Sequence, residues 1–178
     1  MARIILVTGG QRSGKSTYAE RLALDLSERP VYVATAHVWD EEFRRRILAH
    51  QQRRGPQWEN IEEERCISGC PIAGRVALID CLTLWATNLF YDAQQTQEAA
   101  EGTPVERTLT VVRAELDRLA SMEGTFILVT NELGSGGVST NDVQRQFTDL
   151  QGWMNQYAAA LADEVVLMVS GIPVKIKG

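Results

Sequence analysis

The feature that most constrains the fold of this chain is the stretch at residues 9–16, which reads GGQRSGKS. It matches the phosphate-binding pattern, in which a glycine and four variable residues precede Gly-Lys-Ser, and it stands between an apolar run and a helix-forming run. Glycines let backbone N–H groups face phosphate oxygens, Lys15 adds a mobile cation, and the Ser16 hydroxyl can ligate Mg²⁺. The stretch therefore predicts a nucleoside triphosphate site; the alternative is a strand-to-helix turn that binds nothing.

Short β-rich apolar runs alternate with helical stretches along the chain. This alternation predicts an α/β phosphate-loop NTPase fold, with a mostly parallel central sheet and helices on both faces. Strands are predicted at 3–8, 31–34, 76–80, 125–130, 164–169 and 174–176. Helices are predicted at 105–120 and 141–161, where apolar residues at steps of three and four, such as Val143 and Phe147, predict core-facing stripes. The polar stretch 91–104 predicts an exposed excursion between two helices.

Composition sets the class of protein. A length of 178 residues predicts one domain, 1–178, with a sizeable core. The net charge of -5 argues against general nucleic-acid binding, which favours a basic excess. Apolar runs fall short of the roughly 18 residues that a membrane span needs, so we expect no membrane span and a cytoplasmic protein. The three cysteines lack zinc-ligand spacing and are expected to be reduced thiols: Cys66, Cys70 and Cys81.

Ligands of open α/β sheets bind beyond the carboxyl ends of the strands, so the residues that follow each apolar run are site candidates. Asp80 follows VALI and is a candidate ligand or water-holding group for Mg²⁺; alternatively, it caps a helix that begins near Leu82. The small residues Ala34, Thr35 and Ala36 follow VYV and would let a ligand approach the backbone.

Two further stretches carry polar candidates. Asn131 and Glu132 follow FILVT and open the glycine-rich sequence NELGSGG, which is either part of the site or a flexible surface turn. The stretch 39–56 starts with a helical pattern and contains several arginines. These arginines form either a solvated charged face or a set of phosphate contacts, and His50 among them is either solvated or a nucleophile at phosphorus.

In sequence order, these motifs resemble one known family over essentially the whole chain. They are ILVTGGQRSGKS, VYVATA, DEEFRRRILAHQQRRGPQWENIEEE, LIDCLTLWATNLF, LVTNELGSGGV and ADEVVLMVSGIPVKIKG. The combination is similar to the bifunctional adenosylcobinamide kinase/adenosylcobinamide-phosphate guanylyltransferases of cobalamin biosynthesis. The resemblance implies phosphorylation of adenosylcobinamide by ATP or GTP with Mg²⁺, followed by transfer of GMP from GTP to adenosylcobinamide phosphate.

The resemblance also implies roles for individual residues. His50 matches the family's nucleophile, which carries a covalent GMP, and Lys15 and Asp80 are the other expected catalytic residues, with Ser16 and Asp80 on the metal. Some members have glutamate where this chain has Asp80, a shorter carboxylate. The family's nucleotide contacts carry over onto Gly9, Gly10, Gln11, Arg12, Ser13, Gly14, Lys15, Ser16, Ala34, Thr35, Ala36, Gln51, Gln52, Arg53, Arg54, Glu62 and Asp80.

Assembly and two rival functions complete the expectations. The resemblance implies a homo-oligomer, a trimer, in which the nucleotide site lies between subunits. One rival is another small-molecule kinase, of the nucleoside or shikimate type, which needs the phosphate loop but no histidine. The other rival is a nucleotide switch whose hydrolysis changes the conformation of a partner. A covalent nucleotide adduct distinguishes the resemblance from both.

Overall fold

The computed structural model describes residues 1–37, 45, 54–95 and 101–178. The strands of these residues form one sheet, and every neighbouring pair is parallel except the last, which is antiparallel. The strands are β1 (Arg3–Gly9), β2 (Val31–Ala34), β3 (Glu59–Glu62), β4 (Val76–Asp80), β5 (Thr125–Val129), β6 (Glu164–Val169) and β7 (Ile172–Lys177). Their order across the sheet is β3-β2-β4-β5-β1-β6-β7, so the strand that precedes the phosphate loop lies between β5 and β6.

Four long helices lie within the described residues: α1 (Lys15–Leu26), α2 (Leu82–Gln95), α3 (Pro104–Ser121) and α4 (Asp142–Leu161). Capping residues determine where two of them start. Thr103 and Glu106 form a reciprocal capping box at α3, and the Asn141 side chain accepts the Gln144 N–H at α4. Short 3₁₀ turns occur at Ile67–Gly69 and Gly134–Gly136.

The strands alternate between two apolar cores, because successive side chains of a strand point to opposite faces. One core packs α1 against side chains such as Ile5, Tyr32 and Leu78. The other packs α2, α3 and α4 against the opposite set. The predicted α/β fold, with a mostly parallel sheet, helices on both faces and a phosphate loop between a strand and a helix, is confirmed. No helix in the described part of the chain is long and apolar enough to cross a membrane.

The predicted strands and helices are all present, with small differences at their ends. Three details of the prediction were wrong. The edge strand β3 was missed altogether. The excursion at 91–104 begins later than predicted, because α2 continues to Gln95; residues 96–100 lie outside the described residues. Val143 was placed in the apolar stripe of α4 but is 50% exposed, since this first turn lies beyond the packed part of the helix.

Candidate active site

The phosphate loop joins the end of β1 to the start of α1 at the C-terminal edge of the sheet. Gly14 is the N-cap residue of α1, with φ of 92°, and no side chain caps the helix. The N–H groups of its first turn are therefore available to an anion, which the helix dipole also favours. At Gly9, a Cβ would lie 2.6 Å from the carbonyl oxygen of Met168, so the loop can pack against β6 only as glycine. This arrangement suits a bound phosphate.

Lys15 is 7% exposed and folds back over the loop. Its ammonium group donates to the carbonyl oxygen of Gly10 at 2.6 Å and to Ser13 Oγ at 3.4 Å. Burial lowers the pKa of Lys15, while the Coulombic interactions with Cys81 and Asp80 raise it. A phosphate at the loop would offer this largely desolvated cation a full negative charge in place of neutral carbonyl dipoles.

Asp80 ends β4 and is held by a tyrosine on the neighbouring strand. The register pairs Ala34 with Asp80, and Tyr32 and Asp80 lie on the sheet face that α1 covers. The Tyr32 hydroxyl donates to Asp80 Oδ2 at 2.8 Å. The alternative role of Asp80 as a helix cap is wrong, because the carbonyl oxygen of Cys81 accepts the first hydrogen bond of α2, from the N–H of Trp85 at 3.1 Å.

Tyr32 was missed at the sequence level, because an aromatic residue inside an apolar strand has the pattern of a core residue. It is 4% exposed, and its ring meets Trp58 edge-on with centroids 5.8 Å apart. Burial, followed by the charge of Asp80, raises the pKa of Tyr32 well above its ordinary value, so the phenol remains a hydrogen-bond donor. The signal that could have found it is the strand period, which places it on the face of Asp80 once β2 and β4 are neighbours.

Arg54 completes this cluster. Its guanidinium carbon lies 3.5 Å from the centroid of the Tyr32 ring, and its Nε and Nη1 are buried without a hydrogen-bond partner among the described residues. Buried guanidinium donors normally have acceptors, so these two are available to an anionic ligand. Sequence reasoning included Arg54 through the family resemblance.

The strand end at 34–36 is closed by side-chain contacts. Thr35 is fully buried; its Oγ1 donates to the carbonyl oxygen of Cys81 at 2.7 Å and accepts the Cys81 N–H at 2.8 Å. The carbonyl oxygen of Thr35 accepts a bond from Asn88 Nδ2 at 2.8 Å. The Thr35 side chain therefore joins the ends of β2 and β4. A ligand could approach the backbone here only at the partly buried Ala34 and Ala36.

The glycine-rich loop after β5 starts beside the phosphate loop. The N–H of Glu132 donates to the carbonyl oxygen of Gly9 at 3.0 Å, and the N–H of Asn131 donates to Thr83 Oγ1 at 2.9 Å. Behind them, the buried Gln151 donates from Nε2 to Thr130 Oγ1 at 2.8 Å. These bonds fix the start of the loop at the edge of the site, unlike a free surface turn.

The residues chosen as metal ligands fit Mg²⁺, which prefers oxygen ligands and is often held by one or two protein groups together with substrate phosphates. Asp80 Oδ1 and the hydroxyl of Ser16 have no hydrogen-bond partner among the described residues. Both therefore remain available as oxygen ligands. No group of three or more His, Cys, Asp or Glu residues in the described part could hold a metal by itself.

The other predicted nucleotide contacts that the structure describes lie on the phosphate loop and at the end of β3. Gln11 and Arg12 are exposed on the phosphate loop. Glu62 ends the edge strand β3, paired in register with Ala34, and is exposed. The described members of the predicted set thus lie along one edge of the sheet. The remaining ones lie outside the described residues: His50, Gln51, Gln52 and Arg53.

Comparison with known proteins identifies the family. The model of the family described as cobinamide kinase / cobinamide phosphate guanyltransferase matches residues 5–176. The chain belongs to this family. It is 38% identical to the bifunctional adenosylcobalamin biosynthesis protein CobP of Pseudomonas aeruginosa, over 97% of this chain and 96% of that protein. It is also 38% identical to the bifunctional adenosylcobalamin biosynthesis protein CobU of Escherichia coli, over 98% of this chain and 99% of that protein.

Membership of the cobinamide kinase / cobinamide phosphate guanyltransferase family makes the protein a bifunctional enzyme of cobalamin biosynthesis, as the resemblance predicted. Similar solved structures include an ATPase domain, with a TM-score of 0.48 and 12% identity over 93% of this chain and 68% of that chain. The flagellar accessory protein FlaH of Methanocaldococcus jannaschii has a TM-score of 0.43 and 12% identity over 98% and 78% of the two chains.

Proposed function

We propose that this enzyme transfers a phosphoryl group from ATP or GTP to the aminopropanol hydroxyl of adenosylcobinamide. It then transfers GMP from GTP to the new phosphate through a covalent GMP–His50 intermediate and yields adenosyl-GDP-cobinamide. The family description supports the two classes of reaction. The single sheet supports one domain, 1–178, that carries both.

The observation that carries the proposal is the position of Arg54. His37, the last residue of the continuous described stretch before His50, lies beyond the end of β2, and the next continuous described stretch begins with Arg54 on the ring of Tyr32. Both flanking residues therefore lie near the edge of the sheet that holds the phosphate loop. His50 precedes Arg54 by four residues, a separation that chain geometry limits to about 14 Å between the two Cα atoms. This limit supports His50 as a nucleophile that reaches a nucleotide at this edge.

The guanylyl transfer then takes two displacements. A neutral imidazole nitrogen of His50 attacks the α-phosphorus of GTP, a P–N bond forms, and the P–O bond to pyrophosphate breaks. A phosphate oxygen of adenosylcobinamide phosphate next attacks the same phosphorus, and the P–N bond breaks, which restores the neutral histidine. In the kinase reaction the substrate hydroxyl attacks the γ-phosphorus and releases its proton to water, the P–O bond to the nucleoside diphosphate breaks, and His50 forms no bond.

The chain's own groups neutralise the charge on the phosphates. Lys15 and the open N–H groups of α1 bind the phosphate oxygens, and Arg54 supplies two buried donors. Ser16 and Asp80 are the residues that would hold Mg²⁺. When bound, the ion withdraws charge from the phosphate oxygens and aligns them for displacement.

The first test is covalent labelling. The purified protein is incubated with Mg²⁺ and GTP labelled on the α-phosphate, denatured, and analysed by peptide mass spectrometry. We expect an acid-labile, alkali-stable GMP adduct on His50 that is absent with γ-labelled GTP. Absence of an adduct from protein that binds GTP would overturn the histidine mechanism and favour a simple phosphate-loop kinase or a nucleotide switch.

The chain offers a matched control, because it contains one other histidine, His37. Its Nδ1 lies 2.8 Å from Glu64 Oε2. We expect His50→Asn to abolish the adduct and guanylyl transfer while most kinase activity remains, and His37→Asn to retain the adduct. Equal loss of both activities in folded His50→Asn would contradict the division of labour between the two steps.

We also propose that the enzyme is a cytoplasmic homotrimer. Support for association comes from β7, an edge strand whose apolar residues Ile172, Val174 and Ile176 are all exposed. The three free cysteines are consistent with a reducing compartment. Sedimentation equilibrium tests the subunit number, and a monomer at micromolar concentration would contradict it.

A further inference from the structure

Tyr32 contacts both charged groups that the proposed nucleotide chemistry requires at this edge. Its hydroxyl donates to Asp80 Oδ2 at 2.8 Å, and its ring lies under the Arg54 guanidinium at 3.5 Å. Its own position is fixed by burial, since it is 4% exposed, and by the edge-on contact with Trp58. One rigid side chain therefore connects a carboxylate and a cation that come from separate segments of the chain.

The two contacts use different parts of the tyrosine and leave different atoms available. The hydrogen bond occupies Oδ2, whereas Oδ1 has no donor among the described residues. The stacked Arg54 uses the face of its guanidinium, whereas its N–H donors lie in the guanidinium plane, and Nε and Nη1 remain without partners in the described part. Each charged group is thus held on one side and left open for binding.

We propose that Tyr32 is a positioning residue of the nucleotide site, whose hydroxyl orients Asp80 toward a divalent cation and whose ring orients Arg54 toward the nucleotide phosphates. This inference rests on the proposed function, in which Asp80 is a metal ligand. A carboxylate turns readily about its last side-chain bond, and a hydrogen bond to one oxygen fixes its plane. The bond is stronger here than in water because Tyr32 is desolvated.

The molecule contains a matched control for this cluster on its surface. The hydroxyl of Tyr157 donates to Asp117 Oδ1 at 2.7 Å, and the guanidinium of Arg113 lies 5.5 Å from the Tyr157 ring centroid. The same three residue types therefore meet between α3 and α4, with Asp117 and Arg113 exposed. Tyr157→Phe removes an equivalent hydroxyl at a place with no role in the proposed site.

The experiment separates the two contacts of Tyr32. Tyr32→Phe removes the hydroxyl and keeps the ring, and Tyr32→Leu removes both. The affinity for Mn²⁺ is measured by electron paramagnetic resonance, with the protein saturated by a non-hydrolysable GTP analogue. The affinity for the analogue itself is measured by calorimetry in EDTA, where no metal contributes.

We expect Tyr32→Phe to weaken Mn²⁺ binding about 10- to 100-fold, the usual effect of losing a partner of a metal ligand, and to leave metal-free analogue affinity unchanged. We expect Tyr32→Leu also to weaken metal-free analogue binding about 5-fold, because the platform for Arg54 is lost. Raising the Mg²⁺ concentration should restore kinase activity to Tyr32→Phe. Tyr157→Phe should change neither affinity.

Unchanged Mn²⁺ affinity in folded Tyr32→Phe would overturn the inference, as would an equal loss in Tyr157→Phe. Asp80→Asn identifies failure of the underlying function instead. If Asp80→Asn retains full Mn²⁺ affinity, Asp80 is not a metal ligand and the metal assignment fails regardless of Tyr32. If Asp80→Asn loses affinity for Mn²⁺ and Tyr32→Phe does not, only the positioning role of Tyr32 is wrong. Thermal melting of each variant confirms that the comparison is made on folded protein.

Discussion

The cluster of Tyr32, Asp80 and Arg54 and the cluster of Tyr157, Asp117 and Arg113 have the same composition and nearly the same hydrogen-bond length. The tyrosine-to-aspartate distances are 2.8 Å and 2.7 Å. Their surroundings differ. Burial is the main cause that raises the pKa of Tyr32, whereas the hydrogen bond with Asp117 is the main cause that raises the pKa of Tyr157. The two clusters therefore differ in their exposure to solvent and in whether polar atoms without a hydrogen-bond partner are buried.

The comparison shows that hydrogen-bond length does not distinguish the cluster at the candidate site from the cluster on the surface. Water screens the charges of the exposed cluster and can satisfy their remaining polar atoms, so such contacts contribute little. In the other cluster, two buried Arg54 donors have no partner among the described residues. Unused hydrogen-bonding capacity in a desolvated position costs free energy, and a ligand that uses it recovers that free energy.

The largest expected effect is that of Lys15→Met. Kinase turnover should fall about 100- to 1000-fold, because a cation that neutralises phosphate charge is lost. The melting temperature should stay equal or rise, because a largely desolvated charge is removed. The matched control is Lys177→Met: the Lys177 ammonium group likewise donates two hydrogen bonds, to carbonyl oxygens at 2.8 and 3.1 Å, but at the exposed end of α4. The kinase turnover of Lys177→Met should be unchanged. A comparable loss of turnover in this variant would contradict the special role of the desolvated Lys15.

Next in size is the pair Asp80→Asn and Asp117→Asn, measured as kinase turnover at fixed Mg²⁺. The first should lower turnover about 100-fold, as expected for a ligand whose charge the metal requires. The second should leave turnover within about 2-fold, because exposed polar substitutions have small effects. Similar turnover in both variants would show that burial does not separate the clusters.

A third carboxylate, Glu115, sharpens the distinction, because it is buried and both of its oxygens accept hydrogen bonds. Glu115 is 3% exposed, accepts the N–H of Ser68 at 2.9 Å and its hydroxyl at 3.1 Å, and pairs with Arg118. Glu115→Ala should lower the free energy of unfolding by about 1–3 kcal/mol, since it leaves the partly buried N–H and hydroxyl of Ser68 without an acceptor. Urea denaturation measures this loss. Turnover of the folded variant should be unchanged, and a selective loss of turnover would contradict a structural role.

The smallest effect concerns the cysteines. Burial raises the pKa of Cys81 to about 12 and that of Cys70 to about 11. Because only the thiolate reacts, at pH 8 about one Cys81 in ten thousand is reactive, and the fraction rises tenfold per pH unit. Alkylation of native protein at pH 8, followed by mass spectrometry, should therefore modify the exposed Cys66 first. Equal labelling of Cys81 and Cys66 would show that the surroundings of the buried Cys81 open to solvent.

The fold was predictable where local sequence determines it. Five buried strands of the parallel part of the sheet appear as continuous apolar runs and were found this way, whereas the exposed, antiparallel edge strand β7 was predicted from a short apolar stretch at 174–176. The missed strand β3 reads ENIE, with Ile61 as its one apolar residue, because an edge strand with exposed side chains needs no apolar run. The burial of Glu115 was equally hidden, since a carboxylate in a helix normally indicates a solvent-facing position.

The site was predictable to the same extent. The phosphate loop is a contiguous motif, and Asp80 is marked by its place at the end of an apolar run. The contact of Tyr32 with Asp80 depends on β2 and β4 being neighbours, which strand patterns alone do not establish. The anchoring of Asn131 by Thr83 likewise joins separate parts of the chain. Local motifs therefore predict the residues proposed to meet the ligand, whereas their supporting partners require the tertiary structure.

The central place of β1 in the sheet has a consequence for synthesis on the ribosome. Its two neighbours begin at Thr125 and Glu164, and the turn after β6 binds the phosphate loop through the N–H of Gly171 and the carbonyl oxygen of Ser13, 3.0 Å apart. The loop therefore emerges before β5 and β6, the strands that flank β1, have been translated. A truncated nascent chain carries the complete phosphate-binding motif without the backing that shapes it, so nucleotide cannot guide the early stages of folding.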